Sequence, residues 1–292
     1  MKTARTPEEL PAGRRAVALG TFDGVHSGHR RVLEAARADD GLISTVVTFW
    51  PHPRTALGNR VELLTSLQRR LELLEAAGLD EALVVEFSLD LARLTPQEFA
   101  ERVLRPIGTE LVVAGADFRF GRGRAGDLDL LARLGFEVRP VELAGGISSS
   151  EIRRLLRAGE VERAAEALGR PPEVEGIVVA GDQRGGTLGF PTANLDVDPA
   201  LLMPAYGIYA GAAGRNRAAV SIGTNPHYGG EERRVEAFLL DFEGDLYGQR
   251  LVLELWTRLR DERAFASEAE LVEQIGHDVE AARQATRPGE RR

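Results

Sequence analysis

Along the first half of the chain, short continuous apolar runs alternate with segments whose apolar residues recur every three or four positions. The runs at 16–19, 43–49, 82–87, 110–114 and 136–141 predict buried strands, and 30–38 and 67–77 predict helices between them. Thr95-Pro96-Gln97-Glu98 predicts a further helix start, with Thr95 as N-cap, proline at the first helical position and Glu98 in the first turn. Alternating strand and helix predict a parallel α/β sheet covered by helices, with ligands beyond the carboxyl ends of its strands.

The period then changes. Two short helical patterns, 150–157 and 161–168, end at Gly169-Arg170-Pro171-Pro172, where glycine and consecutive prolines stop a helix and read as a linker. Beyond it, apolar runs at 174–179, 207–211, 218–222, 235–241 and 251–257 are separated by Gly, Asn, Pro and Asp clusters, the pattern of an antiparallel barrel. Residues 267–283 read as one amphipathic helix, capped by Ser267 with Glu270 three positions on. Its stripe of Leu271, Ile275 and Val279 is expected to pack against the barrel. The chain divides on this reading into 1–170, α/β, and 171–292, all-β with a terminal helix.

Composition narrows the chemistry. At 292 residues and 43% apolar content the chain is long enough for two cores. A formal charge of −8 argues against a general nucleic-acid binder, whose domains display a basic face. Cysteine is absent, which removes disulfides, thiolate zinc sites and cysteine nucleophiles. Lys2 is the only lysine, so phosphate chemistry falls to Arg, His, backbone amides and metal. No run approaches the roughly 20 apolar residues of a membrane span, and 1–15 is too polar for a signal peptide. A cytoplasmic enzyme of small-molecule substrates, with no nucleic-acid or membrane partner, fits this composition, and a homo-oligomer is compatible with it.

The chemistry concentrates first in Gly20-Thr21-Phe22-Asp23-Gly24-Val25-His26-Ser27-Gly28-His29, the expected turn between the strand at 16–19 and a helix beginning at or near His29. Backbone N–H groups and the partial positive charge at a helix start favour an anion, and Gly28 lets a phosphate approach the main chain. His26 and His29 can donate to phosphate oxygens as charge develops. Metal ligation by the pair is the other reading, weakened because no further ligands stand at zinc spacing. Other strand ends carry Thr48-Phe49-Trp50-Pro51-His52-Pro53-Arg54, then Gly115-Ala116-Asp117-Phe118-Arg119-Phe120-Gly121, then Ile147-Ser148-Ser149-Ser150-Glu151-Ile152-Arg153. Each alone reads as a loop, and together they define one rim.

The H-x-G-H pattern resembles the signature of the nucleotidylyltransferase superfamily, and the rim loops, in this order, resemble those of the bacterial bifunctional riboflavin kinase/FAD synthetase family over nearly the whole chain. That resemblance implies a Rossmann-like N-terminal domain that adenylylates FMN and a C-terminal β-barrel that phosphorylates riboflavin. It implies that His26 and His29 stabilise the transferring α-phosphoryl group and that Ser148, Ser149, Ser150 and Arg153 hold the leaving pyrophosphate. Gly20, Phe22, Asp23, Gly28 and Asp117 join the implied nucleotide set, with Asp23 and Asp117 also candidates for metal contact. Phe49, Pro51, His52, Phe118, Phe120, Arg260 and Glu262 are its flavin candidates. Thr21, Ser27 and Ser150 depart from the family's common Asn, Arg and Thr.

In the second half, the glycine-rich segment 181–194 reads by itself as an ordinary long connection or a phosphate-wrapping loop. It ends in Pro191-Thr192-Ala193-Asn194, which resembles the PTAN motif of riboflavin kinases. Gly181, Gly185, Thr187 and Gly189 would then meet the nucleotide, and Thr192 and Asn194 the Mg2+ that accompanies ATP. Glu236 is a carboxylate in an otherwise apolar strand, on the face of Phe238 and Leu240. The pattern alone leaves it as either an edge position or a functional group. The resemblance makes it the general base for riboflavin's hydroxyl. Pro172 and His227 stand where the family usually has an aromatic and Thr. Two rival readings are a kinase whose first domain is inactive and a flavin-binding protein without turnover.

Overall fold

The computed structural model describes residues 1–38, 41–142, 146–181, 189–225 and 232–289. Contacts divide the chain into two compact units, Met1–Ser149 and Ser150–Arg292. In the first, the strands are β1 (Lys2–Ala4), β2 (Arg15–Leu19), β3 (Ile43–Trp50), β4 (Glu81–Glu86), β5 (Thr109–Gly115) and β6 (Glu137–Val141), joined in a parallel sheet of order β1-β4-β3-β2-β5-β6. Five coincide with the predicted runs. β1 was not predicted, because three residues of mixed polarity carry no readable period. Helices α1 (Ser27–Arg37), α2 (Pro53–Ala56), α3 (Leu67–Ala76), α4 (Leu89–Arg93), α5 (Pro96–Phe99) and α6 (Leu128–Arg133) intervene.

Burial on both faces explains the continuous apolar strands. Val17, Leu19, Val47 and Val112 join Phe99, Leu104 and Leu131 in one core, while Ala16, Ala18, Val46 and Val113 join Val32 and Leu33 of α1 and Leu74 of α3 in another. The capping box at Thr95 and Glu98 forms as its spacing predicts. From β2 the chain moves outward to β3 and β4, then returns to β5 on the other side, so β2 stands at the point where the winding reverses. A crevice opens at such a point, beyond the carboxyl end of the strand.

At the opposite end of β2, the fully buried Arg15 donates from Nε to Glu81 Oε2 (2.7 Å) and from its terminal nitrogens to the carbonyls of Ile107 (2.6 Å), Pro11 (2.6 Å) and Gly13 (3.1 Å). A buried ion pair is tolerable when its remaining protons are satisfied in this way.

The second unit contains α7 (Ser149–Arg157, its first residue in the first unit), α8 (Val161–Leu168) and a closed antiparallel barrel. Its strands are β7 (Glu173–Val179), β8 (Ala193–Asp196), β9 (Gly207–Ala213), β10 (Asn216–Asn225), β11 (Glu232–Leu239) and β12 (Arg250–Arg260), in the order β10-β11-β8-β7-β12-β9. Closure leaves no free sheet edge. Gly169 ends α8 in the left-handed region (φ 69), as read from the sequence. The segment after it is no free tether: Pro171 and Pro172 are buried, and the Pro172 carbonyl accepts from Leu255 N–H of β12 (2.8 Å). α8 packs on the same strand.

The last helix, α9 (Glu268–Gln284), is capped by Ser267 as predicted. Its apolar stripe is only half-buried, and the deepest positions are Asp278 and Ala282. Arg260 grips Asp278 through Nε and Nη2 (2.7–3.1 Å), Arg217 donates to the carbonyls of Ala282 and Ala285, and Arg283 pairs with Asp241. The helix packs on β9 and β10, as the sequence pattern suggested, and guanidinium groups add to that packing. Among the described residues, no helix is long and apolar enough to cross a membrane.

Two candidate active sites

The turn leaving β2 holds the first site. α1 begins at Ser27, two residues earlier than the sequence suggested, because His26 itself is the N-cap: its Nδ1 accepts from the backbone N–H of His29 (3.2 Å). In a neutral ring that bond places the proton on Nε2, so the remaining nitrogen is a donor. His29 stacks on His26 with ring centroids 3.6 Å apart, and Phe22 meets His29 edge-on at 5.2 Å. His26 is buried and His29 half-buried.

The turn is strained. Phe22 (φ 51) and Val25 (φ 40) join Gly24 (φ 84) in the left-handed region, a conformation worth of order 1–3 kcal/mol in strain at each non-glycine residue. At Gly24 a Cβ would also come within 2.7 Å of Leu64. What over-determines the turn is buried polar bonding. Asp23, 1% exposed, accepts from the backbone N–H groups of Leu64 (3.1 Å) and Thr65 (3.2 Å), and Gly24 N–H donates to Thr65 Oγ1 (3.2 Å). Thr48 Oγ1 donates to the Thr21 carbonyl (2.9 Å), and Ser149 Oγ to the Asp23 carbonyl (3.0 Å).

Arg70 of α3, fully buried, completes the set. It donates to the carbonyls of Thr21 (3.0 Å) and Phe49 (3.4 Å) and to Asp23 Oδ1 (3.4 Å), with Trp50 5.6 Å below its guanidinium carbon. Sequence reasoning missed it, although an arginine three residues past Leu67 and four before Leu74 sits on an apolar stripe and so carries a signal.

The rim residues fall into two groups. Phe49 and Phe120 are core residues, linked through Phe99 with ring centroids 6.2 and 5.5 Å apart, and Phe118, half-buried, stacks on Phe120 at 5.9 Å. They form an aromatic row that reaches the surface at Phe118. Pro51 and Asp117 are exposed, while His52 is buried as the N-cap of α2. Gly20 opens the turn after β2, and Gly28 lies in the first turn of α1 between the two histidines. Ser148 is exposed, and Ser150 and Arg153 lie on α7, Arg153 buried.

The second site is spread over barrel strands. Register pairs Glu236 of β11 with Asn194 of β8 on one side and Ser221 of β10 on the other. Val235, Ala237 and Leu239 face the core, so Glu236 shares the half-buried opposite face with Arg234 and Phe238, while Leu240 lies past the strand end. Thr192 Oγ1 donates to Glu236 Oε2 (3.2 Å), and Arg234 pairs with Glu236 while donating to Asn194 Oδ1 (3.2 Å). A Cβ on Gly181 would stand 2.3 Å from the Asn194 amide, and one on Gly223 1.9 Å from the Glu262 carboxylate. Partial burial pushes the Glu262 carboxyl up from its ordinary value, opposed by Arg260 and assisted by the like charge of Glu236. Gly189 is exposed. Arg260 is the residue that grips α9. Gly185, Thr187 and His227 lie outside the described residues. Arg234 was not singled out from the sequence, although period two puts it on the face of Glu236; Gly223 was not, because only strand register brings it opposite Arg234.

Known proteins resemble this chain along nearly its full length. A family model described as FAD synthetase matches residues 10–151, and one described as riboflavin kinase matches residues 168–286. The bifunctional riboflavin kinase/FMN adenylyltransferase of Bacillus subtilis (strain 168) is 36% identical over 289 residues, covering 92% of each chain. That of Escherichia coli (strain K12) is 35% identical over 295 residues, covering 94% of each. A crystal structure from Streptococcus pneumoniae, described as a macrolide-efflux protein, superposes with a TM-score of 0.86 at 32% identity, covering 97% of this chain and 99% of that one.

Proposed function

The chain belongs to the bifunctional riboflavin kinase/FMN adenylyltransferase family, and from that premise we propose how its residues divide the work. The protein phosphorylates riboflavin to FMN with ATP and adenylylates FMN to FAD with release of pyrophosphate. The adenylylation is carried by residues 1–170 and the phosphorylation by 171–292. Both take place in the cytoplasm, where ATP and free flavin meet.

For adenylyl transfer, a phosphate oxygen of FMN attacks the α-phosphorus of ATP and pyrophosphate leaves. The nucleophile is already an anion and needs no base. Charge develops on the α-phosphoryl oxygens, and His26 Nε2 and the His29 ring donate to them beside the start of α1, with Gly28 leaving room for the phosphate. Phe22 backs the His29 ring. Ser148 and Ser149 take the leaving pyrophosphate, and the Phe118 end of the aromatic row offers a surface to the flavin.

Riboflavin's hydroxyl, by contrast, is neutral and must lose its proton while attacking the γ-phosphorus. Glu236 accepts it. The oxygen donors Thr192 Oγ1, Asn194 Oδ1 and the Glu236 carboxylate suit a hard cation, and few protein ligands are needed because Mg2+ keeps waters and phosphate oxygens around it. Thr192 and Asn194 would hold Mg2+, which would neutralise phosphate charge. Gly181 and Gly189 border the nucleotide.

The observation that carries this reading is the stacked histidine pair at the start of α1, with one ring oriented by the helix's own backbone. Chromatography of flavins from riboflavin, ATP and Mg2+ tests it. The double variant His26→Ala, His29→Ala should accumulate FMN while FAD formation falls by at least about 10²-fold, the usual loss for one such donor. Normal FAD synthesis in that variant would defeat the assignment.

A further inference from the structure

Two arginines of the first unit are fully buried, and they do different things. Arg15 closes the amino end of the sheet among Glu81 and three carbonyls of ordinary backbone. Arg70 sits beneath the strained turn. One guanidinium binds the Thr21 carbonyl where the turn begins and the Asp23 carboxylate in its middle, and reaches the Phe49 carbonyl at the end of the neighbouring strand β3. Between those anchors and His26 lie Gly24 and Val25, both left-handed, so the direction in which α1 starts depends on how the turn is held. His26 is the cap of that helix and His29 stacks on it.

We propose that Arg70 is a positioning residue of the adenylyltransferase site, fixing the strained turn at Thr21 and Asp23 and through it the orientation of the His26–His29 pair. It touches neither substrate nor reacting atoms. The inference rests on the reading of the histidine pair given above. Loss of the fork lets the turn relax toward ordinary backbone angles, which rotates the start of α1 and takes the imidazoles off line. Misplacement by about 1 Å is enough to cost on the order of 10²-fold in rate.

A double-mutant cycle on the full chain tests this, with FAD formation as the readout and the thermal unfolding transition of the first unit, followed by circular dichroism, as the control for folding. In the wild-type background, Arg70→Met should lower kcat for FMN adenylylation about 30- to 100-fold and leave the KM values for ATP and FMN within about threefold. In the His26→Ala background, the same change should cost less than about threefold more, because residues that act as one unit are non-additive. Arg70→Lys, which keeps the charge but reaches fewer acceptors, should fall between, at about tenfold. It carries the cycle by itself if Arg70→Met lacks that transition and so has not folded.

Equal losses in both backgrounds, or a loss confined to KM, would overturn the role of Arg70 and leave the histidine assignment standing. An undiminished kcat in His26→Ala would remove the histidine assignment, and the positioning role with it.

Discussion

The turn after β2 and the strand pair β8–β11, proposed above as the two phosphate sites, are built from opposite materials. In the first, a contiguous ten-residue segment supplies both imidazoles, the helix start and the glycine, and its one carboxylate, Asp23, is buried and bonded to backbone and Arg70. In the second, the groups come from separate strands; Glu236 is half-buried and bonded to Arg234 and Thr192, and Glu262 is exposed. On the proposed assignment, the nucleophiles explain the contrast. An anionic phosphate asks for donors held rigidly around it, whereas a neutral hydroxyl asks for a base with somewhere to pass its proton.

The comparison breaks most sharply at Glu236. Glu236→Gln keeps size and hydrogen bonding but accepts no proton, so riboflavin phosphorylation should fall by roughly 10²- to 10⁴-fold while FMN supplied from outside is still adenylylated. Wild-type kinase turnover in that variant sends the base role elsewhere. A smaller effect is expected at Gly181, where an added methyl would press on the Asn194 amide. Gly181→Ala should lower kinase turnover about tenfold by displacing a proposed Mg2+ ligand. Titration with Mg2+ should show a higher requirement, and an unchanged titration would separate Asn194 from the metal.

The independence of the two regions is tested by cutting between them. A fragment beginning at Pro172 contains Thr192, Asn194 and Glu236 and should phosphorylate riboflavin. It lacks α8, whose Val161 and Leu168 are buried, and should melt below a fragment beginning at Ser150. Losing about two large apolar contacts, on the order of 3 kcal/mol, corresponds to a Tm roughly 10 °C lower. Equal melting points would show that α8 contributes nothing to the barrel.

The smallest effect concerns Glu262. A carboxyl raised in the folded state makes its charged form a cost to folding, present above the raised pKa and gone below the unfolded value, where both states are protonated. Glu262→Gln should therefore be slightly more stable than the parent at neutral pH, with the advantage vanishing on acidification through the acid range. Parallel melting curves from pH 4 to pH 7 check the sign, and an advantage that grows on acidification reverses it.

Much of this was legible in the sequence where a period or a contiguous motif carried it. The doubly covered strands, the capping box, the left-handed Gly169 and the H-x-G-H turn all depend on neighbours within a few positions. What escaped depends on distant partners. Strand β8 is four residues long and became a strand only by pairing with β7 and β11. Arg70 meets partners 20 to 49 positions away, and Arg234 reaches Asn194 40 positions away on a neighbouring strand. The exact start of α1 was missed for a related reason: histidine is an unusual cap, and its suitability here comes from the ring's geometry over the first turn.

The guanidinium clasp on α9 bears on the order in which the molecule is assembled and taken apart. The barrel closes its ladder without any residue of 268–284, so the helix is added to a finished surface. An attachment made by Arg260, Arg217 and Arg283 weakens with ionic strength more than an apolar seam does. The amides of the helix should therefore exchange with solvent long before those of the strands beneath it, faster still in high salt, and a protease should cut it before those strands.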